Sequence, residues 1–363
     1  MLAWVGVTGG GLPNVKTIRV FDKMATIRDV AKLAGVSIST VSLALNETGP
    51  VSADTYRTIW AAAKAVGYSP NPLAQSLKRG RSRMIGMIVA DISNPFMGRF
   101  LKVVERRALD SNHLVIVSDS DGKPDQEIAM LDHLSGQRVA GIILAPNGNS
   151  PEYVARVNQL KMPLVLIDHR IPGVECDFVG SDNVLASAML TEHLIRFGHR
   201  RIAHIAGRAG LYTSGKRIQG FLETMRGEGI EVDPSLIVDG DYQGERAYAE
   251  VMRLMTRADR PTAILAANNV MALGALQAIN DLGFKCPQDI SLTSIDDVPW
   301  GNVIQPRITM VVQQVDELAR VASAWLFERI NAPGGATIPP REHILIPLLV
   351  VGQSCAPPKH LGV

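Results

Sequence analysis

From Met84 onward the chain repeats one pattern: a short, continuous apolar run, then a stretch with apolar residues at helical spacing. Residues 85–90, 114–118, 142–145 and 164–168 read as strands, with helices at Pro95–Asp110, at 124–137 and between the last two strands. A strand apolar at every position is buried on both faces. Helices alternating with such strands supply the cover, so the pattern demands parallel sheets wound on both sides. A second run begins near Val179. It has a helix at 184–197, strands at 201–206, 236–239, Ala263–Ala266 and Ser291–Ile295, and helices at 216–228, 244–256 and 270–282. Residues 316–329 form one more amphipathic helix and residues 344–350 a last strand. The expected fold class is an α/β body of two doubly wound parallel lobes in tandem, behind a small all-α unit.

That unit begins at residues 26–46, TIRDVAKLAGVSISTVSLALN. Ile27, Val30, Ala31 and Ala34 give a first helix one apolar face. Gly35 ends it, because a left-handed C′ position costs glycine nothing. Val36 can fill the space between two helices. Ser37 is placed to cap a second helix, whose Val41, Ala44 and Leu45 turn inward while Ile38, Ser39, Ser42 and Leu43 turn outward. Residues 52–66 read as a third helix, with Ser52 as N-cap and Ile59, Ala62, Ala63 and Val66 as its buried stripe. Helix, short glycine turn and helix is the helix-turn-helix pattern, whose second helix enters the DNA major groove.

Residues 68–82, YSPNPLAQSLKRGRS, follow. Two prolines make an extended entry, and Leu73, Ala74 and Leu77 share one face of a short segment flanked by Lys78, Arg79, Arg81 and Arg83. It is either a basic linker or a hinge that folds on DNA with Leu77 wedged into the minor groove. Charge favours a nucleic-acid partner at this end: residues 24–83 carry eight Lys/Arg against three acids, and residues 84–363 sum to −5. The apolar runs of the body are too short to cross a bilayer, so no membrane partner is expected. Three cysteines, odd in number and far apart, speak against a disulfide framework or zinc site and for a reducing cytoplasm. Residues 1–23 hold three consecutive glycines and no basic n-region, a poor fit to a signal peptide. They are expected to be an extension, disordered or upstream of a natural start at Met24.

With these motifs in place, the chain resembles the lactose/galactose repressor family of bacterial transcription regulators over essentially all of residues 24–352. The resemblance rests on ATIRDVAKLAGVSISTVSLALN and GYSPNPLAQSLKRGRS. Through the body it continues, in family order, with IGMIVADISNPF, VAGIIL, LIDHR, VGSDN, HLIRFGHRRIAHIAG, KRIQGF, ILAANNVMALGAL, SIDDVPW and ITMVVQQ. It implies a DNA reader at 24–71, a hinge helix at 72–83 and an effector-binding domain at 84–352 like periplasmic sugar-binding proteins. The N-lobe would comprise about 84–180 plus 313–341, the C-lobe about 181–312 plus 342–352, and 353–363 a tail. The partners implied are near-palindromic operator DNA, a second copy of the chain (a homodimer, or a tetramer) and a small-molecule effector, a carbohydrate by family habit. No cofactor is implied.

Residue by residue, Ile38 and Ser39 match positions that read base edges, and Thr40 and Ser42 match phosphate-contacting or groove-facing ones. Leu43 stands where the family often has arginine. Leucine cannot bond guanine bidentately, so its contact would be apolar, such as a thymine methyl. Leu77 matches the minor-groove leucine. Thr26, Ser37, Asn46, Tyr68, Asn71, Ala74 and Lys78 complete the implied DNA-binding set. In the body, Asp91, Asn94 and Phe96 lie just past the first strand and Asp168 ends another, where ligands of such sheets bind. Arg217, Asn268 and Asp296 in the second lobe, and Gln313 on a crossover, match ligand-contacting positions. Carboxylates, an amide, one arginine and an aromatic face suit a polyhydroxylated ligand. Asn269 stands where the family usually has aspartate.

Rival motifs are weaker. Residues 210–216, GLYTSGK, have phosphate-loop spacing after a strand and before a helix, but Arg217 replaces the Ser/Thr that would hold magnesium. The segment is read as a loop delivering Arg217 to the cleft. His193 and His199 lack a third ligand at metal spacing and no HExxH occurs, so no metal site is expected. Asp297 is read as a turn residue beside Asp296. No nucleophile–base arrangement supports an enzyme, and a solute-uptake protein would not need the basic helical head. The function expected is a cytoplasmic DNA-binding regulator, a repressor, switched by an effector between its lobes. The switch is either an inducer that releases DNA or a corepressor that tightens binding.

Overall fold

The computed structural model describes residues 25–46, 49–69, 81–297, 301, 303–332 and 338–359. The chain divides into two compact units, residues 1–80 and 81–363.

In the first unit, α1 (Ile27–Ala34), α2 (Ile38–Asn46) and α3 (Ala53–Ala65) enclose a core of Val30, Ala31, Val41, Ala44, Leu45, Ile59, Ala62 and Ala63, against which Val36 packs. The caps are local. The Thr26 backbone N–H and hydroxyl both donate to Asp29 Oδ2, at 2.8 and 2.7 Å. Gly35 stops α1 in the left-handed region at φ +68°. Ser52 Oγ accepts from the Thr55 N–H at the head of α3.

The second unit contains two six-stranded sheets. In the first, β1 (Met84–Val89), β2 (Leu114–Asp119), β3 (Gly141–Leu144), β4 (Leu164–Ile167), β5 (Asp177–Ser181) and β11 (Glu342–Leu345) stand in the order β11-β5-β4-β3-β1-β2, all parallel. In the second, β6 (Ile202–Ala206), β7 (Ile237–Asp239), β8 (Ala263–Ala266), β9 (Ser291–Ile295), β10 (Thr309–Val312) and β12 (Leu348–Val350) stand in the order β12-β10-β9-β8-β6-β7. Here only the β10–β12 pair is antiparallel. The helices α4 (Pro95–Asp110), α5 (Pro124–Gly136), α6 (Pro151–Asn158), α7 (Asn183–Arg196), α8 (Tyr212–Gly227), α9 (Gly244–Met255), α10 (Asn269–Asp281) and α11 (Val315–Asn331) cover both faces.

The chain passes between the sheets three times. β5 ends the first sheet's opening run, and α7 then packs Ala186, Leu190 and Leu194 into the second lobe beside Ile202 and Phe221. β10 belongs to the second sheet, yet α11 returns Leu318, Ala322 and Leu326 to the first lobe beside Phe100, Val104 and Ile143. Glycine permits the tight helix pairs: a Cβ at Gly220 of α8 would meet the Val184 carbonyl at the start of α7, and one at Gly274 of α10 would meet the Gly244 carbonyl of α9.

Four expectations are corrected. The last strand, expected at 344–350, is two strands in different sheets. Pro347 has no N–H to continue a ladder, so the chain breaks there and changes sheet. Residues 342–345 therefore belong to the first lobe, not the second. The strand around Val179 likewise pairs with β4 in the first sheet, so the second lobe's run begins with α7. Strand 236–239 starts one residue later, because Asp233 caps a three-ten turn over Pro234–Leu236.

One buried charge fixes the end of α11 and the start of β11 to the first lobe. Asp177 at the start of β5 has no exposed surface and takes a bidentate pair from Arg329 of α11, at 2.7 and 2.6 Å. It also accepts the Arg341 N–H at 2.9 Å and a guanidinium nitrogen of Arg341 at 3.2 Å. Burial alone would raise the Asp177 pKa; the two arginines outweigh it and hold the carboxyl below its usual value. Asp177→Asn keeps the shape and removes the charge. It is expected to cost about 3 kcal/mol, read as a lower urea midpoint at unchanged m-value, and a loss under about 1 kcal/mol would show that the pair does not hold α11.

Candidate effector cleft and DNA-reading helix

The C-terminal ends of both sheets face one crevice, where side chains from eight sequence-selected positions meet around a single cavity. Asp91, Asn94, Phe96 and Asp168 come from the first lobe; Arg217, Asn268 and Asp296 come from the second, and Gln313 from a crossing. Asn147, His169 and Tyr242 join them. The cavity is about 90 Å³, room for roughly three waters and well below the size of ordinary ligand pockets. The lobes are thus closed upon it. Arg208 bonds the Gly122 carbonyl across the gap and Asp241 Oδ1 on its own lobe at 2.6 Å. Asn149 Nδ2 donates to the Gly210 carbonyl at 3.3 Å, and the Thr213 N–H approaches His169 Nδ1 at 3.4 Å.

Asp168 and Asp296 occupy matching places in the two lobes, immediately after β4 and β9. Both adopt the left-handed region, at φ +63° and +69°, while their N–H groups bond Val179 and Val311 carbonyls. A non-glycine residue is strained there, and the turn it makes delivers a carboxylate into the crevice. Asp168 Oδ1 is buried and has no partner among the described residues, and Oδ2 lies 3.3 Å from His169 Nε2. Both Asp296 oxygens accept from Gln313 Nε2, at 2.9 and 3.1 Å. Arg217 is buried, with Nε on Asn183 Oδ1 at 2.7 Å and Nη1 on the Ala267 carbonyl, and its guanidinium lies 5.9 Å from the Tyr242 ring centre.

Other members divide their atoms between structure and cavity. Asn94 and Asn268 cap α4 and α10 through Oδ1, which leaves each NH2 free of the helix. Asp91 Oδ1 holds the Ser93 N–H and hydroxyl at 2.7 and 2.6 Å. Phe96 both lines the cavity and stacks on Phe100 in the core, at 6.4 Å between rings.

Burial pushes Asp296 up to about 6, helped by the nearby Asp168 charge and opposed by Arg217 and Gln313. Burial also lowers the His169 pKa against the opposing pull of Asp168. Nε2 faces Asp168 Oδ2, and Nδ1 faces the Thr213 N–H.

Sequence reasoning missed Tyr242 and Asn147 and left His169 without a role. For Tyr242 a signal existed. Asp119-Ser120-Asp121-Gly122 after β2 and Asp239-Gly240-Asp241-Tyr242 after β7 make the same turn, each second aspartate N–H bonding the first carboxylate at 2.9 Å. The duplicated turn marks Tyr242 as a strand-end residue at the crevice. Residues 210–216 are not the expected loop, since α8 begins at Tyr212 and Ser214 Oγ bonds the Gly207 carbonyl. Asn269 lies behind the cavity wall, donating to the Asp297 carbonyl at 2.9 Å, which a carboxylate could not do. His199 is spent on Thr262, Ser291 and the Ala356 carbonyl. Among the described residues no cluster of three or more His, Cys, Asp or Glu could hold a metal, and no helix is long and apolar enough to cross a membrane.

At the other end of the chain, Ser37 Oγ accepts the Thr40 N–H at 3.0 Å and touches the Ser39 and Thr40 hydroxyls at 2.6 and 2.8 Å. Ile38 and Ser39 are exposed. Ser42 and Leu43, expected to face outward, are half-buried, Leu43 lying over Gly49. Asn46 Nδ2 turns back to the Ser42 carbonyl and hydroxyl. Thr26 caps α1, and Tyr68 packs on the three-helix core. Asn71, Ala74, Leu77 and Lys78 lie outside the described residues.

A three-helix unit with an exposed second-helix start, and a separate unit with two lobes closed on a polar cavity, define a DNA-binding regulator that senses a small molecule. Residues 26–71 match the profile of bacterial regulatory proteins of the lacI family, and residues 191–355 that of a periplasmic binding protein-like domain. The HTH-type transcriptional repressor PurR of Photorhabdus laumondii is 32% identical over 311 residues, covering 85% of this chain and 91% of that protein. Its counterpart from Yersinia pestis is 33% identical at the same coverage. Among solved structures, the Lac repressor dimer bound to operator and the anti-inducer ONPF is similar with a TM-score of 0.79 and 25% identity, covering 92% of this chain and all of that one. The transcriptional regulator CelR in complex with cellobiose has a TM-score of 0.69 and 27% identity, over 91% of this chain and 99% of that one. The chain belongs to the lacI family of bacterial regulatory proteins. It is a DNA-binding transcriptional repressor with a ligand-binding domain.

The raised Asp296 pKa has a measurable consequence. The folded chain binds this proton more tightly than the unfolded chain, so the group favours folding at about pH 4, and that contribution is lost as pH rises through about 6. Relative to Asp296→Asn, wild-type stability should fall by roughly 2 kcal/mol between about pH 4 and pH 7 in paired denaturation curves. A difference that does not change with pH would refute the assignment.

Proposed function

We propose that this repressor acts as a cytoplasmic homodimer on a near-palindromic operator, and that a neutral, polyhydroxylated molecule, a sugar or sugar derivative, enters the crevice and lowers operator affinity. The observation that carries the ligand class is the unpartnered, buried Asp168 Oδ1. A buried carboxylate oxygen without a donor is costly, and a hydroxyl group supplies that donor. Asp91 and Asp296 add negative charge against the single Arg217, which disfavours a phosphorylated or carboxylated ligand. The CelR–cellobiose complex supports the carbohydrate class by similarity.

The effector residues in this reading are Asp91, Asn94, Phe96, Asp168, Arg217, Asn268, Asp296 and Gln313. The start of α2 reads the major groove through Ile38 and Ser39. Thr26, Ser37, Thr40, Ser42, Leu43, Asn46, Tyr68, Asn71, Ala74, Leu77 and Lys78 complete the DNA contacts, with residues 72–83 as hinge. No residue is assigned a catalytic role. Effector and operator are coupled, so each alters the affinity for the other by the same factor.

A panel of neutral mono- and disaccharides, cellobiose included, should raise the melting temperature and weaken operator binding. Asp168→Asn should weaken the active sugar about tenfold, which is ~1.4 kcal/mol, with operator affinity unchanged in its absence. An unaltered sugar response would remove Asp168 from the site. A sugar that tightens operator binding would make the effector a corepressor. Ser39→Ala should change base preference at one operator position by roughly 1–3 kcal/mol, and a uniform loss across operator sequences would reduce its role to backbone contact.

A further inference from the structure

Behind the first-lobe wall of the crevice lies a charge that the effector reading does not use. Glu127, in the first turn of α5, is completely buried. Among the described residues no lysine, arginine or histidine bonds it. Four donors surround it instead. Oε1 accepts from Asn147 Nδ2 at 2.8 Å and, at 3.2 Å, from the Ser120 hydroxyl, which it shares with the Val89 carbonyl at 3.1 Å; Oε2 accepts from the Asn147 N–H at 3.0 Å and the Tyr153 hydroxyl at 2.7 Å. These groups belong to the turn after β2, the turn after β3, and α6. An uncompensated carboxylate is an expensive way to fill space, because an apolar side chain of similar volume would pack the site more cheaply. What a carboxylate does that a neutral group cannot is require every neighbour to be a donor.

Asn147 is the neighbour that reaches the cavity. Its Nδ2 sits between two acceptors, Glu127 Oε1 at 2.8 Å and the Ala145 carbonyl at 3.3 Å. The reverse amide orientation would bring oxygen against oxygen at both contacts. Both amide hydrogens are therefore engaged inside the wall, and Oδ1 has no partner among the described residues. We propose that Glu127 is a positioning residue of the cleft: it orients the Asn147 amide so that the carbonyl oxygen, not the NH2, faces the ligand, and so sets this wall to select a hydrogen-bond donor.

The placement agrees with the rest of the crevice. β3 and β4 are neighbours, so Asn147 and Asp168 stand past the ends of adjacent strands, and both present an oxygen without a protein donor. The opposite wall carries the Arg217 guanidinium and the Asn268 NH2, which are donors. A ligand bound between these four groups donates to Asn147 and Asp168 and accepts from Arg217 and Asn268, which restricts its orientation. The inference rests on the crevice being the effector site, but the amide orientation can be tested without an effector.

In full-length protein, NMR should show the Asn147 side-chain NH2 protected from hydrogen exchange. Glu127→Gln should let the amide turn over and expose that NH2, raising its exchange rate at least tenfold. The paired change Glu127→Gln with Asn147→Asp exchanges donor for acceptor within the wall and restores an oxygen to the cavity; there the side-chain NH2 of the introduced glutamine should be protected instead. With cellobiose as probe, the single variant should bind about tenfold more weakly than wild type and the paired variant within about threefold of it. An Asn147 NH2 that exchanges as fast as a surface asparagine, or one still protected in Glu127→Gln, would overturn the proposal. If Glu127→Gln does not fold, a folded paired variant whose introduced glutamine NH2 is protected supports it, and an unfolded one overturns it. Wild type that ignores cellobiose counts against the disaccharide form of the effector reading and leaves the exchange data to decide the role of Glu127.

Discussion

The ion pair between Asp177 and Arg329 is the contact on which the architecture of the body turns. Each lobe ends its own run of strands and then sends its next helix to the other lobe. α11 follows a strand of the second sheet but lies on the first, and Asp177 at the start of β5 is what it bonds there. Arg341, just before β11, closes on the same carboxylate, so the end of α11 and the starts of β5 and β11 are tied together at one point of the first lobe. A charge buried this deeply is tolerable because two guanidinium groups satisfy both oxygens. The crevice follows from this arrangement. Two parallel sheets joined by three short crossings present their strand ends to each other, and the polar residues that cannot be buried in the strands collect there.

Inside the crevice, the residues differ in how much of each side chain is already committed. Asn94 and Asn268 each give an oxygen to a helix start and keep an amide. Arg217 gives Nε and Nη1 to the second lobe. Asp296 is shared with Gln313 on a crossing, so one end of the cavity is tied to the linkage between lobes. Among the described residues, Asp168 brings a fully buried oxygen with no partner. The division leaves both donors and acceptors available to the cavity. It also leaves the closed state held at its rim by few contacts, Arg208 to Gly122 and Asn149 to Gly210 among them. A few hydrogen bonds of modest net worth suit two lobes that must open and close.

Most of this could be read before the fold was known. Local rules place Gly35, the Ser37 and Ser52 caps and the boundaries of β8 and β9, because helix caps and buried apolar runs depend on neighbours close in sequence; the eight residues around the cavity came from the family resemblance. What escaped depended on partners far away. A single apolar run at 344–350 does not say that its halves pair with β5 and β10, over 160 residues away in one case and under 50 in the other. Glu127 looks like one more acidic residue in a first helical turn, and only packing reveals that it is sealed off and surrounded by donors.

For this protein, then, the sequence alone determined the class of fold and the helix-turn-helix at residues 26–46, and its family resemblance pointed to eight of the residues that line the crevice. Periodicity and capping are properties of short stretches of chain. Tertiary structure decided which lobe owns α7, α11 and β11, which atoms of each cleft residue remain available, and that Tyr242, His169 and Asn147 belong with the others. Those matters turn on distances between segments that the order of residues does not contain. The same division holds within α2. Its pattern marks the helix and its outward Ile38 and Ser39, but only the fold shows Leu43 half-buried over Gly49.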